Sequence, residues 1–165
     1  MNFLEKITDF FEPSRKKVQF SGLSHSSTAY LMSRSFPLVK RPFLVITPTS
    51  SEAESLFSDL KFFMGESSLL LFFPNLDVLP YFQLSPHPDL LAERLRTLYQ
   101  TLSARVPLMV VTSYSAVSRK LPPKSIFNEY ADYLVAKEEV DRENLLQKLV
   151  EAGYLAVPLV EDRGT

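Results

Sequence analysis

The sequence predicts an α/β fold, a parallel sheet flanked by helices, and three observations carry that expectation. Short, nearly continuous apolar runs stand at Phe43–Thr47, Leu69–Phe73 and Leu108–Thr112, with a weaker run at Val18–Ser21. Strands buried on both faces have this composition. Between the runs, Ala53, Leu56, Phe57, Leu60 and Phe63, and then Leu91, Leu95, Leu98 and Leu102, repeat at helical spacing. Strands that alternate with helices imply a parallel sheet with crossover connections.

Ahead of the first run, Phe3, Leu4, Ile7, Phe10 and Phe11 share one side of a helical period that Pro13 ends. Residues 1–17 are therefore an amphipathic helix and a turn, either docked on their own domain or serving as a partner-binding latch. The helix after Phe43–Thr47 has Ser51 with Glu54 as a capping-box pair, and Gly65 at its C-terminal end. The next helix begins near Asp89, behind Pro88, with charges opposite its leucines. Pro74–Pro88 holds four prolines and no period, so it reads as a long rigid loop at a strand's C-terminal end, where such sheets bind ligands.

Leu121-Pro122-Pro123-Lys124 marks a boundary, because paired prolines stop a helix and a different rhythm follows. The α/β domain is thus expected over residues 18–123, with residues 124–165 starting a small α+β second domain. In that part Tyr133–Lys137 and Tyr154–Val160 read as strands. Between them Asp141 caps a helix carrying Leu145, Leu146, Leu149 and Val150, which Gly153 ends. Glu161-Asp162-Arg163-Gly164-Thr165 is turn-like and should feed a returning strand, so the second domain is expected to be truncated.

Composition narrows the function classes. With 165 residues, 45% of them hydrophobic, 13 Phe and 7 Tyr, the chain can bury a sizeable core. Eighteen Lys and Arg against 19 Asp and Glu leave no positive excess to attract a phosphate backbone, which argues against a dedicated DNA binder. No cysteine is present, which excludes disulfides, thiolate catalysis and cysteine zinc sites. No apolar run approaches the ~20 residues of a membrane span, and the charged N-terminus does not suit a signal peptide. A cytoplasmic location is expected.

Gly22-Leu23-Ser24-His25-Ser26-Ser27-Thr28-Ala29 follows the first run and precedes a helix containing Tyr30, Leu31 and Met32, which is the placement of a P-loop. In a working G-x-x-x-x-G-K-[ST] loop, backbone N–H groups approach the phosphates, lysine neutralises their charge and a hydroxyl holds magnesium. Aligned on Gly22, Ser27 replaces the second glycine, Thr28 the lysine and Ala29 the hydroxyl. Charge-assisted bonds are the strong ones, so without the lysine ATP hydrolysis is not expected. Ser113 follows the Leu108–Thr112 run where a Walker B carboxylate would stand. A helix N-terminus could still hold an anion weakly.

Other polar groups are less directive. Ser24-His25-Ser26 lacks a local carboxylate to orient the histidine. His87 and Asp89 are too few ligands for zinc, so no metal site is expected. Glu93, Arg94 and Arg96 flank the leucine face; with His87 and Asp89, the two arginines are expected to tether the proline-rich loop, with DNA contact as the alternative.

These segments occur in a distinctive order. The emptied loop, Phe43-Leu44-Val45-Ile46-Thr47-Pro48, Ser85-Pro86-His87-Pro88-Asp89, Glu93-Arg94-Leu95-Arg96-Thr97-Leu98-Tyr99, Val110-Val111-Thr112-Ser113, Leu121-Pro122-Pro123 and Leu149-Val150-Glu151-Ala152-Gly153-Tyr154 resemble the N-terminal region of the bacterial transcription-repair coupling factors, the Mfd family. The resemblance runs from about residue 18 onward. It implies a first domain similar to that of the excision-repair protein UvrB, helicase-like but without an ATP site, interrupted by a second domain that recruits UvrA. It implies as well that RNA polymerase and DNA are bound, and ATP and magnesium used, by downstream domains. UvrA recognition in the family relies on arginines of the second domain, of which Arg163 alone falls in this chain.

The leading expectation is a noncatalytic module for recruitment and autoinhibition in a repair-coupling translocase, with no cofactor of its own. A nucleotide-dependent helicase domain with residual ATP binding would need the P-loop lysine. A Rossmann-like small-molecule enzyme would need a glycine-rich turn, and Gly22 stands alone in its loop.

Overall fold

A computed structural model describes residues 17–67, 69–76, 78, 86–130, 134–137 and 139–158. The expected N-terminal helix, most of the proline-rich loop and Arg163 lie outside the described residues. Internal contacts divide the chain into two units, Met1–Lys120 and Leu121–Thr165.

The first unit is α/β. In chain order it contains α1 (His25–Val39), β1 (Phe43–Thr47), α2 (Ser50–Met64), β2 (Leu70–Phe73), α3 (Pro88–Ser103), β3 (Met109–Ser113) and the short α4 (Tyr114–Val117). The strands form a parallel sheet in the order β1-β3-β2, with Val111 of β3 opposite Val45 on one side and Phe72 on the other. The last strand in sequence is thus the central one, and it joins two segments that do not pair with each other.

Alternation along the strands decides where the core lies. Val45, Leu70, Met109 and Val111 point to one face and meet Ala29 and Phe36 of α1 and Ala53, Leu56 and Leu60 of α2. Phe36 meets Phe43 edge-on at 5.3 Å between ring centroids, and Phe57 lies 5.1 Å from Phe72. On the opposite face, the side chains of β1 are left open: Leu44 is 63% and Ile46 49% exposed. The continuous apolar run of β1 had suggested burial on both faces; α3 instead contacts β2, at the far side of the sheet.

Local signals explain most element ends. Thr49, not Ser51, caps α2: its Oγ1 accepts from the Glu52 N–H at 3.2 Å and donates to Glu52 Oε1 at 2.9 Å. Gly65 then ends the helix at a φ of 69°, a conformation costly for a residue with a Cβ. Val18–Ser21 forms no strand and is largely exposed; only Val18 and Phe20 are apolar there, too little surface to hold an added edge strand.

In the second unit, α5 (Lys124–Tyr130) follows the two prolines directly, and α6 (Arg142–Glu151) is capped by Asp141 Oδ1, which accepts from the N–H groups of Glu143 and Asn144 at 3.1 and 3.2 Å. The expected strands do not appear among the described residues. Ala136 and Lys137 form a turn, with Lys137 at a φ of 73°, outside the strand region. Residues 154–157 are irregular, and Pro158 has no N–H to give to a ladder.

This packing makes the two faces of the sheet unequal in stability. Leu60→Ala, at a fully buried position, is expected to cost roughly 2–5 kcal/mol. Leu44→Ser is expected to stay within about 0.5 kcal/mol. Urea unfolding of both variants measures the difference.

Candidate functional site

The Gly22–Ala29 segment enters α1 through Gly22, at a φ of 77°, and Ser24, the residue that caps the helix. The helix starts at His25, earlier than the sequence suggested, so Ser27, Thr28 and Ala29 lie on its first turns rather than in a loop. Their side chains are committed to the chain itself. The Ser27 hydroxyl accepts from the Ser24 N–H at 2.7 Å and sits 3.0 Å from both Ser24 O and Ser24 Oγ. Thr28 Oγ1 donates to Ser24 O at 2.8 Å. Ala29 is fully buried in the core. These bonds tie both hydroxyls to the backbone of the capping residue Ser24.

Acidic groups surround this entrance. Ser26 Oγ donates to Asp59 Oδ2 of α2 at 2.9 Å, which brings a carboxylate to the first turn of α1. Beside the loop, a cleft of about 290 Å³ runs between Leu23, Ser24, His25 and Thr28 on one side and Val45, Ile46, Thr47 and Glu52 on the other. Among the described residues that line it there is no lysine or arginine. At the C-terminal end of β3, Ser113 is buried, and its Oγ lies 3.3 Å from Ser50 Oγ and 3.0 Å from Ser115 Oγ. The three hydroxyls are thus bonded to one another at the end of the strand. Among the described residues no group of three or more His, Asp or Glu side chains converges.

The proline-rich loop starts at a second polar cluster, which α3 supplies. Arg94 is only 6% exposed; its Nη1 donates to Pro74 O at 2.6 Å, its Nη2 to Ala116 O at 3.5 Å, and its guanidinium lies 4.0 Å above the Phe73 ring. Burial, and after it the charge of Arg119, lowers the Arg94 pKa from the ordinary arginine value. Thr97 Oγ1 donates to Phe72 O at 2.7 Å, and Thr112 Oγ1 to Phe73 O at 2.9 Å. The helix therefore turns Arg94 and Thr97 inward and leaves Leu91, Leu95 and Leu102 exposed, the reverse of what its leucine stripe suggested.

The other residues grouped with Arg94 in the sequence stand elsewhere. His87 caps α3, its Nδ1 accepting from the Asp89 N–H at 3.3 Å, and both side chains are exposed. Arg96 is exposed and borders a separate cleft of about 430 Å³ with Lys61, Glu66 and Glu93. Arg119, which carried no sequence signal, donates from Nη2 to Val78 O at 2.7 Å and holds the same loop.

Comparison with known proteins agrees with the order of these segments. The chain is 32% identical over 156 residues to the transcription-repair-coupling factor of Myxococcus xanthus, a match covering 91% of this chain and 13% of that protein. The chain belongs with the transcription-repair-coupling factors. It is 30% identical over 115 residues to the Rickettsia bellii member, covering 70% of the chain and 10% of that protein. With the Bacillus subtilis member it shares 25% identity over 149 residues, or 90% and 12%. The chain thus spans only 10–13% of the length of these family members. No family model matches it.

The contrast between the two arginines of α3 is measurable. Arg94→Ala removes both carbonyl bonds and the contact with Phe73, and is expected to cost about 1–3 kcal/mol. Arg96→Ala should stay within about 0.5 kcal/mol. Thermal unfolding of the two variants separates them.

Proposed function

We propose that the chain forms a noncatalytic module of a transcription-repair coupling factor, one that helps link stalled RNA polymerase to nucleotide excision repair. The observation that carries the reading is the entrance to α1. Ser27 and Thr28 turn their hydroxyls onto Ser24, and Asp59 and Glu52 supply negative charge there. A triphosphate brought to this entrance would meet like charge and no lysine, and a phosphate site without a cation loses its main electrostatic term.

In this reading the first unit is a helicase-like domain related to the first domain of UvrB, kept as a scaffold after losing its nucleotide chemistry. ATP and magnesium, RNA polymerase and DNA are matters for other parts of the full-length factor, in the cytoplasm. The second unit contributes to recruiting UvrA, with Arg163 at its contact surface, and the module restrains the motor until it is engaged.

The test is a titration of purified UvrA against the chain, against its Arg163→Ala variant and against a full-length coupling factor. Saturable binding by the chain that weakens in the variant is the expected result. Binding by the full-length factor alone would assign recruitment to residues outside this chain, and binding by neither would remove the recruitment role.

A further inference from the structure

Three aromatic rings form an exposed row where α1 meets α2. Phe63 stands between the other two, edge-on to Tyr30 of α1 at 5.4 Å between ring centroids and to Phe62 at 5.2 Å. Phe63 is 40% exposed, Tyr30 51% and Phe62 82%. Single exposed apolar side chains are ordinary, whereas a contiguous group of them marks an interaction surface. One helical turn before the rings, Ser26 Oγ donates to Asp59 Oδ2 at 2.9 Å. Ser26 precedes Tyr30 by four residues, and Asp59 precedes Phe62 and Phe63 by three and four. Residues at those spacings are neighbours on a helix surface, so the bond fixes a carboxylate beside the rings. A carboxylate has about four acceptor sites, of which Ser26 takes one. Arg34, also exposed, stands one turn past Tyr30. Along α1 the surface is therefore negative before the rings and positive after them.

We propose that the Tyr30–Phe63–Phe62 row, with Asp59 beside it, is a docking surface for an arginine-bearing segment of a protein partner. The partner's guanidinium lies flat on an exposed ring and donates to the Asp59 carboxylate. Arginine suits both contacts at once, being planar, weakly hydrated and able to pair with a carboxylate through two N–H groups. It enters from the Asp59 side, because Arg34 repels it on the other. Single-stranded nucleic acid also stacks on aromatic rings, but it needs a positive groove along its backbone. Here Asp59 would face the phosphates, and Lys61, next to Phe62 in sequence, is paired with Glu66 at 3.1 Å. Area disfavours a second copy of the chain. Three rings of about 150–250 Å² each, already partly covered, fall short of the ~800 Å² that each partner of a stable association buries. The surface lies within the first unit and does not depend on the function proposed above.

The probes are short, capped, alanine-rich peptides that differ at one central position, which is arginine, lysine or the neutral isostere citrulline; oligothymidylate is the nucleic-acid arm. Each is titrated into the 165-residue chain while the ring signals of Tyr30, Phe62 and Phe63 are followed by NMR. Saturable shifts of these rings are expected with the arginine peptide, weaker with lysine and absent with citrulline. Asp59→Asn, which can keep the Ser26 bond, should weaken binding of the arginine peptide about tenfold. Phe62→Ala, at a position outside the hydrophobic core, should weaken it about threefold. Equal binding of the arginine and citrulline peptides would overturn the assignment, as would unchanged binding in either variant with its backbone spectrum intact. So would a lack of saturation by the arginine peptide up to millimolar concentration, or saturation by oligothymidylate in its place.

Discussion

The position of β3 between β1 and β2 is the constraint on which the rest of the first unit depends. Parallel strands do not pair through a tight turn; each needs a crossover, and the central strand here is the last to be made. Until residues 109–113 arrive, β1 and β2 have no common partner. Met109 and Val111 then fill one face completely, while Thr112 bonds Phe73 O on the other. The same event brings Ser113 against Ser50 and places α4 where Ala116 O can receive Arg94. Strand order, loop anchoring and the polar end of the sheet are therefore set together.

The functional reading follows from charges at that end of the sheet. A helix entrance beside the C-terminal edge of a parallel sheet is suited to anions by its backbone alone. At α1 this suitability is opposed locally by the Asp59 and Glu52 carboxylates. On the β2 side of the sheet, by contrast, the guanidinium groups of Arg94 and Arg119 bring positive charge to the carbonyls of Pro74 and Val78.

Much of this was legible in the sequence because it depends on residue identity or local period. The three strands are the three continuous apolar runs. The lack of a lysine between Gly22 and Ala29 needs no structure to see, and Asp141 and Gly153 mark the ends of α6 by chemistry local to the chain. What was not legible depends on distant partners. A leucine stripe states which residues of α3 are apolar but not which way the helix faces; Arg94 and Thr97 are turned inward by carbonyls 20 to 25 residues away. Asp59 reaches Ser26 across 33 residues. Val18–Ser21 had the place of a strand but not the apolar surface to become one, and Lys137 adopts a backbone conformation that its residue type gave no reason to expect.

We propose that the entrance to α1 does not take up nucleotide, because the Asp59 and Glu52 carboxylates stand beside it and no lysine or arginine is among the described residues that line its cleft. Titrating magnesium-ATP into the chain while following the backbone amide signals of Ser24 to Ala29 addresses it directly. The account predicts that these amides stay unmoved up to millimolar nucleotide; saturable shifts of the Ser24–Ala29 amides would contradict it.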